Sequence, residues 1–230
     1  MSTPIYQIKI VLRDSKPPIY RQVLVPADFT LGQLHEVIQI VMGWTDSHLH
    51  QFMLKDKALK RGPDVIAQLA KAGRFDEIFT ASRGIRTFTA MTTPFGDPVE
   101  MEGEDENAVT LAEVCPKVKS KLTYEYDFGD GWDHTIEVQK ILDAKPDEEY
   151  PQCLGGKLAC PLEDCGGIWG YYHLLEVVAD PKHEEYEDMV EWMGGDFDPQ
   201  AFDLEEANAV LAEWRKAQQK RKPRRRRANK

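Results

Sequence analysis

Long hydrophobic runs are missing from this chain. No stretch of its 230 residues approaches the ~18 consecutive apolar residues of a membrane span, and the N-terminus lacks the charged-then-apolar profile of a signal peptide. Both absences point to a soluble, cytoplasmic protein with no membrane partner. Cysteine is scarce. Four thiols, Cys115, Cys153, Cys160 and Cys165, do not make a disulfide framework in a chain this long. The usual signatures of catalysis are absent too: no G-x-S-x-G elbow, no Walker loop, no C-x-x-C pair and no H-E-x-x-H helix. Basic charge is thin over the first 214 residues, which hold 19 Lys or Arg against 39 Asp or Glu, a net of −20. The last 16 residues, "RKAQQKRKPRRRRANK", reverse this with 10 cations and no acid.

The remaining patterns describe an α+β protein. "YQIKIVLRD" alternates Tyr6, Ile8, Ile10 and Leu12 on one face, as a strand does, and "PPIYRQVLVP" follows as a second strand bounded by prolines. Thr30 with Gln33 makes a capping box. Leu34, Val37, Ile38 and Val41 continue at helical spacing towards Gly43, and "HLHQFML" reads as a third strand. This β-β-α-β order is that of a ubiquitin-like unit. Val65 to Ala72 suits a short helix, "ASRGIRTFT" a strand or loop, and "GDPVEMEGEDEN" a surface loop. Three C-terminal helices follow. Tyr171, Leu174, Leu175 and Val178 share a face of the first. Asp180 caps the second, and Asp203 with Glu206 opens the third, with Ala207, Val210, Leu211 and Trp214 inward.

The stretch "YEYDFGDGWDHTIEV" reads as a β-hairpin. Leu122, Tyr124, Tyr126 and Phe128 alternate on one strand, and Trp132, His134, Ile136 and Val138 on the other. The two sets share a face only if opposed residues have numbers of equal parity. A loop of Gly129, Asp130 and Gly131 meets that condition and pairs Phe128 with Trp132 and Tyr126 with His134. His134 then faces the core, where a hydrogen-bonded core histidine is the commoner outcome. Asp127, Asp130 and Asp133 gather at the tip and outer face, a solvated turn or a cation site.

Two sets of residues suggest a metal. Cys153, Cys160 and Cys165 in "CLGGKLACPLEDCGG", joined by His134, would complete a tetrahedral zinc set, although small buried thiols in a Gly-rich turn are the commoner case. His48 and His50, two apart on the third strand, form a second candidate cluster with Asp127, Asp130 and Asp133. Glu163 and Asp164 could serve as an acid/base pair. The tail supplies the electrostatic signal. Arg221, Lys222, Arg224, Arg225, Arg226 and Arg227 could contact phosphates as a disordered arm spanning 215–230, or fold back on the acidic body.

"GWTDSHLHQF", "YEYDFGDGWDH", "CLGGKLACPLEDCGG" with "WGY", and "DPKHEEYEDMVEWMGGDFDPQAFDLEEAN" occur in that order. Together they resemble the plasmid-encoded ORF-three-like family named from an Ri plasmid, whose members are also described as insertion-element passenger proteins of the TnpR type. The resemblance implies an α+β domain linked to mobile elements and no established activity. A resolvase is not supported, because no serine sits near an early arginine cluster and no histidine has Arg three residues on. Two departures stand out: residues near 57–90 look like an insertion, and the family's P-P-E-D is Pro161-Leu162-Glu163-Asp164. The expected organisation is one domain over 1–214 with a basic tail. The expected function is a mobile-element-associated binding or interaction protein, partnered by nucleic acid through its tail or by another protein. The alternative is a metal-dependent enzyme, zinc being the candidate cofactor, that acts on nucleic acid or a phosphoester.

Overall fold

The computed structural model describes residues 2–56, 59–93, 95–99, 101–195 and 197–221. The elements run β1 (Ile5–Leu12), β2 (Tyr20–Pro26), α1 (Leu31–Met42), β3 (His50–Lys55), α2 (Pro63–Lys71), α3 (Phe75–Arg83), β4 (Ile85–Thr89) and β5 (Glu104–Asp105). They continue with α4 (Leu111–Val114), β6 (Lys121–Tyr126), β7 (Trp132–Leu142), β8 (Gln152–Lys157), α5 (Gly167–Ala179), α6 (Tyr186–Met193) and α7 (Leu204–Arg221). The strands form one mixed sheet in the order β5-β4-β3-β6-β7-β1-β2-β8, with β4 and β5 its parallel pair. The protein is α+β. β3 does not lie beside β1, because the β6–β7 hairpin is inserted between them. The N-terminal β-β-α-β segment therefore does not close into a sheet of its own.

Alternation builds the core. Ile8, Ile10, Leu12, Phe52, Leu122, Tyr124, Tyr126, Trp132, Ile136 and Val138 are buried on the same side of the sheet. Leu31, Leu34, Val37, Ile38 and Val41 of α1 pack with them in the same cluster. The entry to α1 is as the sequence predicts: Gln33 N–H donates to Thr30 Oγ1 at 3.2 Å and Thr30 N–H donates to Gln33 Oε1 at 3.0 Å. Gly43 ends the helix in the left-handed conformation. Thr30→Ala should cost about 1 kcal/mol of unfolding free energy in a urea titration. A change of only a few tenths would show that the helix does not depend on its cap.

The hairpin keeps the expected parity but moves the register by two residues. Tyr126 opposes Trp132 and Tyr124 opposes His134. The connection is the five residues 127–131, not three. Asp127 takes a left-handed φ of 55°, and its Oδ1 accepts from Gly129 N–H at 2.9 Å and Asp130 N–H at 3.3 Å. That side-chain turn removes Phe128 from the ladder and leaves it 40% exposed. His134 does face the core and is fully buried.

Other expectations are corrected locally. Asp180 does not open α6. It ends α5, and its Oδ1 accepts from Lys182 N–H at 3.0 Å. On α5 the buried stripe is Tyr171, Leu174 and Val177, and on α7 Leu211 is buried while Val210 is exposed. The tail expected to be disordered from 215 is helical to Arg221. Arg215 Nη1 donates to Pro151 O at 2.7 Å, and Gln218 Nε2 donates to Glu36 Oε2 at 2.7 Å, which anchors the last turns. Lys222, Arg224, Arg225, Arg226 and Arg227 lie outside the described residues. Among the described residues no helix is long and apolar enough to cross a membrane.

Candidate metal centre

Three loops meet at the tip of the β6–β7 hairpin, each bringing one side chain with a ligand atom. His48 lies in the connection before β3, Asp127 opens the hairpin tip, and Asp164 lies between β8 and α5. His48 Nε2 is 3.3 Å from Asp164 Oδ1 and 3.7 Å from Asp127 Oδ2. Neither contact is a hydrogen bond: Nε2 is buried and has no hydrogen-bond partner. The three ligand atoms lie within 4.8 Å of one another. Ligand atoms about 2.0–2.1 Å from a tetrahedral ion lie roughly 3.3–3.4 Å apart, so the spacing suits an ion at the centre. The Asp127 side chain is 9% exposed and that of Asp164 73%, so the set is closed on one side and open on the other.

The surrounding bonds hold these loops together. Asp127 Oδ1 is occupied by its own turn, which leaves Oδ2 for His48. Asp127 N–H donates to Leu49 O at 2.9 Å, tying the tip to the histidine loop. Glu163 accepts from Thr45 N–H at 3.1 Å, from Thr45 Oγ1 at 2.5 Å and from the Tyr126 hydroxyl. Burial, and then the neighbouring Glu163 carboxylate, push the Tyr126 phenol well above its usual range. Glu163 is thus bonded both to the loop before β3 and to the end of β6. Trp44 Nε1 donates to Pro161 O at 3.0 Å, and Gly166 N–H donates to Asp130 Oδ2 at 3.2 Å. Gly167, at a φ of 68°, lets the start of α5 touch the hairpin tip, where a Cβ would overlap the Asp130 carbonyl.

The other predicted ligands are dispersed. His134, Cys153, Cys160 and Cys165 are not assembled: among the described residues no group of three ligand atoms within 4.8 Å includes any of them. His134 is bound up in packing, with Nδ1 donating to Trp132 O at 2.9 Å and its ring edge-on to Trp44. Burial raises the Cys165 thiol to about 12 and also raises Cys153 and Cys160, which keeps all three protonated at neutral pH. Asp133 pairs with Arg13 at 3.1 Å and stays away from the cluster. His48 and His50 do not share a strand face, because β3 begins at His50.

His50 instead joins residues that the sequence did not single out. Its ring stacks on that of His35, centroids 3.5 Å apart and 3° from parallel. His50 Nε2 bonds to Glu106 Oε2 at 2.7 Å, and His35 Nε2 to Asp46 Oδ1 at 2.9 Å. His35 Nδ1 meets the Tyr124 hydroxyl at 2.8 Å. Burial above all holds the His35 imidazole below its ordinary value, against the opposing pull of Asp46. The pair lies in a cavity of about 600 Å³. Tyr126 separates the two sites, with the His48 ring 5.8 Å and the His35 ring 6.5 Å from its own. A signal for His35 was present: it lies on the buried face of α1 between Leu34 and Ile38. Glu106 sits in the acidic stretch read as a surface loop and had none.

The three segments that meet at His48, Asp127 and Asp164 are the first three of the four ordered motifs in the sequence. Residues 4–206 match the sequence profile of the plasmid pRiA4b ORF-3-like proteins. The chain belongs to that family. A relative, the uncharacterized protein y4hQ of Sinorhizobium fredii (strain NBRC 101917 / NGR234), is 32% identical over 230 residues, covering 96% of this chain and all of the relative. A second similar protein is MM3350 of Methanosarcina mazei Go1, known from a crystal structure as a protein of unknown function. It is 33% identical, superposes with a TM-score of 0.64, and the match covers 89% of this chain and 98% of that one. In this pRiA4b ORF-3-like chain the hairpin aspartate, the aspartate of the loop before α5 and the histidine that precedes β3 come together.

Proposed function

We propose that the protein binds a divalent transition-metal ion through His48 Nε2, Asp127 Oδ2 and Asp164 Oδ1, and that the ion serves hydrolysis of a phosphoester. One observation carries this: a buried imidazole nitrogen without a hydrogen bond faces two carboxylates at distances suited to ligands of a shared ion. Three protein ligands with an open side match catalytic rather than structural centres, which close with four. Bound there, the ion would polarise a phosphoryl oxygen and lower the pKa of a coordinated water. The two aspartates balance the charge of the ion. Asp127 is the rigid ligand, fixed by its turn, while exposed Asp164 closes the set. Glu163 acts as a positioning residue, because it binds Thr45 and Ser47 on the loop that carries His48, and Tyr126 at the end of β6 beside Asp127.

Isothermal titration of chelator-treated protein with zinc and manganese tests the reading. One equivalent should bind and raise the melting temperature. Asp164→Asn and His48→Ala should abolish the shift, while Glu163→Gln should weaken binding by roughly 10- to 100-fold, as loss of an outer-sphere support does. The metal-loaded protein should then hydrolyse bis(p-nitrophenyl) phosphate, and the Asp164→Asn variant should not. No metal uptake by the intact chain would sink the proposal. Uptake without hydrolysis of any phosphoester would leave a structural ion and sink its catalytic half.

A further inference from the structure

The acidic cavity is a site of a different kind. Its wall carries the carboxylates of Asp46, Asp105 and Glu106, and no Lys or Arg among the described residues lines it. Glu106 and His50 are 3% and 6% exposed, so a carboxyl group and the imidazole bonded to it are both held in the interior. Buried charge of one sign is costly unless a partner compensates it. Nε2 of His50 is committed to Glu106, and its Nδ1 makes no hydrogen bond among the described residues. A polar ring more than nine-tenths buried therefore lines the cavity with one acceptor unused.

The shape decides against a bare ion. Imidazole lone pairs lie in the ring plane, and the planes of His35 and His50 run parallel 3.5 Å apart, so one ion cannot sit in both. His35 has both nitrogens occupied, by Asp46 and by Tyr124. A volume of about 600 Å³ is that of a small-molecule pocket, far above what one ion and its waters fill. We propose that this cavity binds a small organic cation, a primary amine or a guanidinium, which donates hydrogen bonds to His50 Nδ1 and neutralises the carboxylates around it. The site is independent of the metal centre on the other side of Tyr126.

The test is isothermal titration of the full chain, after chelator treatment, with 1,4-diaminobutane and agmatine. 1,4-Butanediol and succinate serve as the neutral and anionic counterparts of the same length. At least one of the two cations should bind saturably at one per chain, and neither counterpart should. Glu106→Gln replaces the buried carboxyl group by an amide and should weaken cation binding at least tenfold. Because Glu106 is buried and that variant could fail to fold, Thr92→Trp is the second arm. Thr92 lines the cavity at an exposed position, where an indole fills space without entering the core. It should block binding while thermal stability stays unchanged. Failure of both cations to bind, an equal response to the diol or succinate, or undiminished binding in Thr92→Trp would overturn the proposal.

Discussion

Gly170→Ala is expected to lower the unfolding free energy by about 3 kcal/mol or more, at or beyond the upper end of ordinary overpacking. Gly170 lies in the first turn of α5, and its N–H donates to Gly166 O at 3.2 Å. A Cβ at this position would fall well inside the carbonyl oxygen of Cys165. The carbonyl belongs to backbone and a Cβ has no rotamer, so no side-chain rotation relieves the overlap. Either the first turn of α5 unwinds or the 164–167 loop shifts. The second outcome carries Asp164 away from His48, so metal uptake should fall together with stability. Gly62→Ala is the control: no atom lies within 4 Å of its Cβ position and its φ of −72° suits any residue. As the N-cap of α2, where Ala is poorer than Gly, it should cost no more than about 1 kcal/mol. Chemical denaturation of the two variants decides the matter, and a Gly170→Ala protein as stable as the parent would show that the loop yields freely.

Acid should act on this fold through His134. The imidazole is fully buried, and burial lowers its pKa from 6.5 to about 4. The unfolded chain takes up a proton near 6.5, and the folded chain only near 4. Stability from the neutral ring is therefore whole above about pH 6.5 and drains away as the pH falls towards 4. The gap corresponds to about 3 kcal/mol. His134→Phe keeps an aromatic ring against Trp44 and removes the titration. It loses the bond to Trp132 O and so is expected to be the weaker protein at neutral pH. Its disadvantage should shrink by about 3 kcal/mol between pH 7 and pH 4. His35, also lowered by burial, adds acid sensitivity of the same sign to both proteins and cancels in the comparison. Parallel stability curves for parent and variant over that range would refute the assignment.

What the sequence disclosed follows the reach of each signal. Local periodicity found β1, β2, α1 and the buried face of the β6–β7 hairpin, because alternation and capping act within a few residues. Parity placed His134 in the core, since a one-residue slip would have inverted the whole strand. The two-residue offset was beyond parity, because a side-chain turn at Asp127 displaced Phe128. The site was legible in part. His48 and Asp127 stood in one candidate cluster, but with His50, Asp130 and Asp133, and Asp164 stood apart from them beside Glu163. What joins them is the crossing of three loops, and no spacing along the chain encodes that. Glu106 was invisible for the opposite reason: an acid in a polar stretch looks solvated until the fold buries it.

The position of β1 bears on how the chain is made. Ile8 and Ile10 pair across β7 with Val138 and Ile136, residues about 130 positions further along. On a ribosome adding about 5–20 residues per second, β1 waits roughly 6 to 26 seconds for that partner. During the wait β1, β2 and α1 can form locally, but the β7-facing edge of β1 exposes unpaired backbone beside apolar side chains. Nascent chains stalled before Trp132 should therefore be avid chaperone clients and prone to edge-to-edge association, while those released after Leu142 should not.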